Sequence, residues 1–176
     1  MKQTYTITAF SENHIGLLNR ITIIFTRRRV NIETLTVSPS AIKGVHKFTI
    51  TVNETKEMVI KVVNQIEKIV DVIKAFYHTD DEIIFQEIAL YKVPTKVILE
   101  SNKIENIVRK SAARIVEITP EYAVFEKMGS TEETQDLFNE LNKIGILQFT
   151  RSGRIAVTRL NEELLHNFLR KRNLNW

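Results

Sequence analysis

The feature that most constrains this chain is a change of hydrophobic period that occurs twice in the same order. Tyr5, Ile7 and Ala9 alternate with Thr6, Thr8 and Phe10, the two-residue period of a strand. Leu17, Leu18, Ile21, Ile24 and Phe25 then fall on one face of a helix. A second strand carries Leu35 and Val37 and ends at Pro39. The chain turns at Lys43-Gly44, after which Phe48, Ile50 and Val52 alternate with Lys47, Thr49 and Thr51. Met58, Val59, Val62, Val63, Ile66 and Ile69 stripe a second helix, and Val70 to Tyr77 reads as a fourth strand. The order is β-α-β-β-α-β.

The charged segment HTDDE, His78 to Glu82, marks the expected boundary, and the order then repeats. EIALYKV is a strand; Ile104, Ile107, Val108 and Ala112 stripe a helix; ARIVEI and YAVFEKM are strands parted by Thr119-Pro120. Ser130 and Glu133 have the spacing of a capping box, and Gly145 ends the helix it starts. ILQFTRS supplies the fourth strand, followed by a short strand RIAVTRL and a helix near Glu162 to Arg172. This predicts an α+β chain of two ferredoxin-like βαββαβ domains, residues 1–78 and 79–176, each an antiparallel sheet with two helices on one face.

The 176 residues can bury a core without covalent staples. Lacking cysteine, the chain has no disulfide, thiolate nucleophile or thiolate metal site, which fits a reducing compartment. MKQTYTITAF alternates and does not read as a signal peptide, and no apolar run nears the ~18 residues of a membrane span, so a cytoplasmic protein is expected. The net charge of +4 is mild. Arg27-Arg28-Arg29 and Arg170-Lys171-Arg172 fall near helix C-termini, where cations complement the helix dipole, and a nucleic-acid stripe normally carries more charge. The third strand, VHKFTITV, lacks the stacking aromatics of an RNA-recognition sheet. His14, His46, His78 and His166 form no compact ligand spacing, and phosphate-loop and nucleophile-elbow motifs are missing. The sequence points to binding rather than catalysis.

One stretch looks built for a ligand. In SENHIGLL a polar turn runs through Asn13 and Gly16 into the first helix, whose opening N–H groups and positive dipole end suit a carboxylate. Asn31 opens the second strand, which can lie beside the first strand of a symmetry mate. A molecule with a carboxylate, an ammonium group and an apolar side chain, an amino acid, fits such a place. Each residue also has a plain structural reading: Asn13 as an N-cap, Gly16 as a packing glycine, Asn31 as a turn residue.

SENHIGLLNRITIIFTRRRVNIETLTVSPS resembles the first ACT-domain segment of the small, regulatory subunit of acetohydroxyacid synthase (acetolactate synthase). The matching positions are Glu12-Asn13, Gly16, Leu18 and Arg20, then Asn31 to Val37 with Thr34 where the family has serine. QIEKIVDVIKA, EIALYKV, ARIVEITPE and FTRSGRIAVTRL extend the similarity over nearly the whole chain. The resemblance implies a non-catalytic homodimer that binds and activates a large catalytic subunit carrying thiamine diphosphate, a divalent metal (Mg) and FAD. The small subunit has no cofactor of its own. It also implies feedback by valine or another branched-chain amino acid, with Asn13, Gly16 and Asn31 as effector residues and Leu17 and Ile32 as pocket walls or core. The other reading is a stand-alone ACT-domain amino-acid sensor acting on a different enzyme. One departure is Arg29-Val30, where the family has glycine before an aromatic. That position follows the first helix: a left-handed exit there strains Arg29, a different exit avoids the strain and repositions Asn31, and an ordinary right-handed exit leaves Arg29 a plain exposed residue.

Overall fold

Helix α1 (Leu17–Arg27) forms because its apolar stripe can be buried against a strand that alternates. Leu17, Ile21, Ile24 and Phe25 of α1 pack with Tyr5, Ile7 and Ala9 of β1 (Gln3–Glu12) and with Phe48, Ile50 and Val52 of β3 (Val45–Glu54). Helix α2 (Lys56–Ile66) adds Val59, Val62, Val63 and Ile66 to the same core, each such side chain contributing about 1.5–3 kcal/mol. The computed structural model describes residues 1–100 and 103–171.

With β2 (Thr34–Pro39) and β4 (Val72–Thr79), these strands form one antiparallel sheet in the order β2-β3-β1-β4. The first βαββαβ order is therefore present, with β2 and β4 as edges. A short 3-10 turn, Asp80–Glu82, leads into β5 (Ile83–Pro94).

The second unit repeats the plan. α3 (Thr95–Glu100) and α4 (Lys103–Lys110) precede β6 (Arg114–Ile118) and β7 (Tyr122–Gly129); α5 (Thr131–Asn142) and β8 (Gln148–Arg151) follow. Its strands run β6-β7-β5-β8, the same order as the first sheet. The capping box is present: Ser130 Oγ accepts from the Glu133 N–H at 3.2 Å, and Glu133 Oε2 accepts from the Ser130 N–H at 2.7 Å. Gly145, at φ 122°, follows α5 and donates to the Leu141 carbonyl. Tyr91, Phe125, Leu137 and Leu141 lie in this core, and the Tyr91 hydroxyl donates to the Thr134 carbonyl at 2.6 Å.

The expected division at residues 78 and 79 needs correction. The first compact unit runs to Ile84 and takes back the chain from Arg154 onward; the second spans Phe85–Gly153. β9 (Ile155–Thr158) and α6 (Leu164–Lys171) thus belong to the first unit. The physical reason lies on the sheet face opposite α1 and α2. Phe10 and Val45 are buried there against Leu165 and Leu169 of α6. Arg154, itself buried, donates to Thr6 Oγ1 at 3.2 Å and to Asp80 Oδ1 at 2.7 Å. Arg27 and Lys171 occupy last helical turns as expected, while Arg172 lies outside the described residues.

Candidate functional site

The turn between β1 and α1 is held from below by one carboxylate. The Glu12 N–H donates to the Asp71 carbonyl at 3.0 Å, His14 Nδ1 stands 2.8 Å from Asp71 Oδ1, and Arg20 pairs with Asp71 Oδ2. These contacts hold the Asp71 carboxyl below its ordinary value, the His14 hydrogen bond being the larger cause and the Arg20 hydrogen bond the next. Asp71 had no signal in the sequence, because it sits before β4, far from the turn that it braces.

The histidines that share no sequence spacing do include one with acidic neighbours in space. Ligand atoms of Glu12, His14 and Asp71 lie within 4.8 Å of one another, the one such grouping among the described residues. Arg20 already holds Asp71, and its positive charge opposes a metal ion at the same carboxylate.

Helix α1 begins at Gly16, its N-cap, in the left-handed conformation (φ 85°) and without a side-chain cap. The N-cap reading of Asn13 therefore falls away: Asn13 is exposed and caps nothing. Glycine is needed at residue 16 for its backbone angle, since a Cβ built there would meet no atom within 4 Å. Above it, Leu18 and Asn19 present first-turn N–H groups, which an α-helix leaves without internal acceptors. Ile15 and Leu18 are exposed apolar residues at this helix start, and Ile23 is exposed about two turns further along α1.

The other expected residues divide clearly. Leu17 is 2% exposed and belongs to the core, and Ile32 packs partly against that core. Asn31 is exposed, and its Nδ2 donates to Glu33 Oε1 at 2.8 Å. Asn13 and Gly16 do not meet Asn31 within the protomer. They precede and follow α1, an 11-residue helix about 16 Å long. The sheet register agrees: Glu12 pairs with Val45 at one end, while Thr34, just after Asn31, pairs with Thr51, the partner of Thr6, towards the other.

Comparison with known proteins places the chain in a family. Residues 7–74 match the family described as AHAS small subunit-like ACT domain, and residues 86–160 match the family described as small subunit of acetolactate synthase. The acetolactate synthase small subunit of Bacillus subtilis is 32% identical over 160 residues, covering 90% of this chain and 91% of that protein. The chain belongs to the acetolactate synthase small-subunit family. A Mycobacterium bovis small subunit is 29% identical over 157 residues, 89% of this chain and 93% of its own. The crystal structure of the Thermotoga maritima acetolactate synthase small subunit superposes with a TM-score of 0.82 at 23% identity, covering 91% of this chain and 99% of that one. It supports the two-sheet fold of the small-subunit family. No helix among the described residues is long and apolar enough to cross a membrane.

Proposed function

We propose that this small-subunit family member is a non-catalytic regulator of acetohydroxyacid synthase. It binds a catalytic large subunit that carries thiamine diphosphate, Mg and FAD, raises its activity, and makes it sensitive to valine or a related branched-chain amino acid. The observation that carries this reading is the open, glycine-capped start of α1, where among the described residues no atom lies within 4 Å of a Cβ built on Gly16. Free first-turn donors and the helix dipole favour a carboxylate there. Asn31 lies at the far end of α1, so an effector that touches Asn13, the Gly16 backbone and Asn31 has to bridge two copies in opposite orientation. The exposed Ile15 and Leu18 give such a homodimer an apolar contact beside the site.

The test is reconstitution with the catalytic subunit. Gly16→Asp puts a carboxylate where the effector's own would sit, and feedback by valine is lost while activation persists. Gly16→Asn is the uncharged control, because asparagine tolerates the left-handed conformation, and it retains more of the feedback. Valine inhibition unchanged in Gly16→Asp removes the turn from the effector site. Light scattering that finds monomer with and without valine removes the dimer.

A further inference from the structure

The sheet face away from α1 and α2 is not sealed by the returning segment. Between the sheet and that segment lies a cavity of about 320 Å³, at the small end of the range for metabolite sites. Its walls include Phe10, Phe76, Ile83, Leu160 and Leu164, and every residue lining it belongs to the first unit. The Phe10 and Phe76 rings meet edge to face, with centroids 6.3 Å apart. Lys47 of β3 reaches in from the sheet, its Nζ donating to the Ala156 carbonyl at 2.8 Å. An ammonium has three donors, so one bond to a carbonyl leaves it capacity for an anion. Burial pushes the Lys47 ammonium down from its ordinary value, and the charge of Glu163 opposes that fall.

Glu162 and Glu163 line the same cavity. Both are steadied from within α6: Glu163 Oε2 accepts from the His166 backbone N–H, and Glu162 Oε2 accepts from Asn167 Nδ2 at 2.7 Å. His78 also lines the cavity, but burial pushes its imidazole down from its ordinary value, so one cation, two carboxylates and an apolar wall make a specific combination. A polyphosphate would meet two like charges for one lysine, and a purely apolar ligand would leave Lys47 against hydrocarbon. A small zwitterion satisfies all three features.

We propose that this cavity binds one α-amino acid with an aliphatic side chain, its carboxylate on Lys47 and its ammonium towards Glu162 and Glu163. The site is complete within one chain and is separate from the α1 start, so it is a second amino-acid site. Occupancy would tie the segment from Arg154 onward to the first sheet.

Calorimetry on the full chain tests this with L-leucine, 4-methylpentanoate and 3-methylbutylamine as probes, in a Gly16→Asp background that disables the α1 site. Leucine binds, and each single-charge analogue binds about tenfold more weakly or worse, the loss of one charged hydrogen bond. Lys47→Met and the cavity-filling Leu164→Trp weaken leucine by a similar factor, with thermal unfolding confirming that each variant is folded. Glu163→Gln leaves the Lys47–Ala156 bond in place and weakens leucine but not 4-methylpentanoate. The proposal is overturned if 4-methylpentanoate binds as well as leucine, or if folded Lys47→Met and Leu164→Trp bind leucine normally. It is equally overturned if Gly16→Asp alone abolishes all binding, a result that leaves the α1 effector reading standing. If instead wild-type valine feedback survives Gly16→Asp but binding is lost in Lys47→Met, the α1 reading fails and this one holds.

Discussion

Arg29 and Ala112 occupy equivalent positions in the two βαββαβ units, each the left-handed residue that ends a helix. Their φ angles are 55° and 52°. After α1 the Val30 N–H donates to the Phe25 carbonyl and the Arg29 N–H to that of Thr26. After α4 the Ala113 N–H donates to the Val108 carbonyl and the Ala112 N–H to that of Arg109. Both are Schellman caps, a device that usually carries glycine at the left-handed position. Of the exits open to Arg29, left-handed, right-handed or rerouted, the chain takes the left-handed one, which strains a residue with a Cβ.

Replacing Arg29 by glycine should raise stability by about 0.5–1 kcal/mol. The left-handed strain of about 1–2 kcal/mol is relieved, and the larger unfolded-chain entropy of glycine offsets part of the gain. The side chain is exposed, so little packing is lost. Urea unfolding midpoints measure the change; a lower midpoint would mean that the arginine side chain stabilises the exit.

Asp71→Asn should flatten the acid limb of stability. A carboxyl held below its ordinary value of 3.8 contributes stability that is full above 3.8 and is lost as pH falls through the lower folded value. The wild type should therefore lose more stability than the variant between about pH 5 and about pH 2. The variant should also exchange the amide hydrogens of His14 and Gly16 faster, because the brace under the turn is weakened. Parallel acid curves would show that Asp71 does not carry this dependence.

Tyr91→Phe tests the second core. At neutral pH the lost hydroxyl bond to Thr134 should cost about 1 kcal/mol. Burial raises the Tyr91 hydroxyl from 10.0 to about 12. A raised value means stability present below pH 10 that is lost as pH climbs through about 12. Phenylalanine removes that alkaline loss, so the wild-type and variant denaturation midpoints should converge as pH rises above about 10.

Leu165→Ala should destabilise the first unit by about 2–5 kcal/mol through the cavity it leaves against Phe10 and Val45. Hydrogen exchange resolves the two units: protection should fall in β1 and β3 and hold in β7. A uniform change would argue against α6 being part of the first core.

The two element orders could be read from the sequence because Ile7, Ile21, Ile50 and Val62 obey local periods that a packed sheet and its helices require. The Ser130–Glu133 box was equally legible, since both partners lie within one helical turn. What stayed hidden depends on long-range placement. Asn13 looks like a cap until the left-handed angle of Gly16 shows where α1 begins. Leu17 fits a pocket wall or a core by pattern alone, and burial decides for the core. Thr6, Thr49 and Thr51 suggest a wet sheet face, yet all three are buried. The α6 helix was legible too, but neither Asp71 under the turn nor the packing of α6 on that face leaves a periodic mark.

The return of α6 to the first sheet has a consequence for biosynthesis. All four strands of that sheet have been synthesised once Thr79 is made, but Phe10 and Val45 stay without their cover until Leu165 and Leu169 follow. At typical translation speeds the delay is on the order of ten seconds. Throughout it the nascent chain shows water the Phe10, Val45 and Phe76 patch of that face, and the second unit can fold first. A chaperone that shields sheet surfaces would meet its client in this interval, and slowing translation between β5 and α6 would lengthen the exposure.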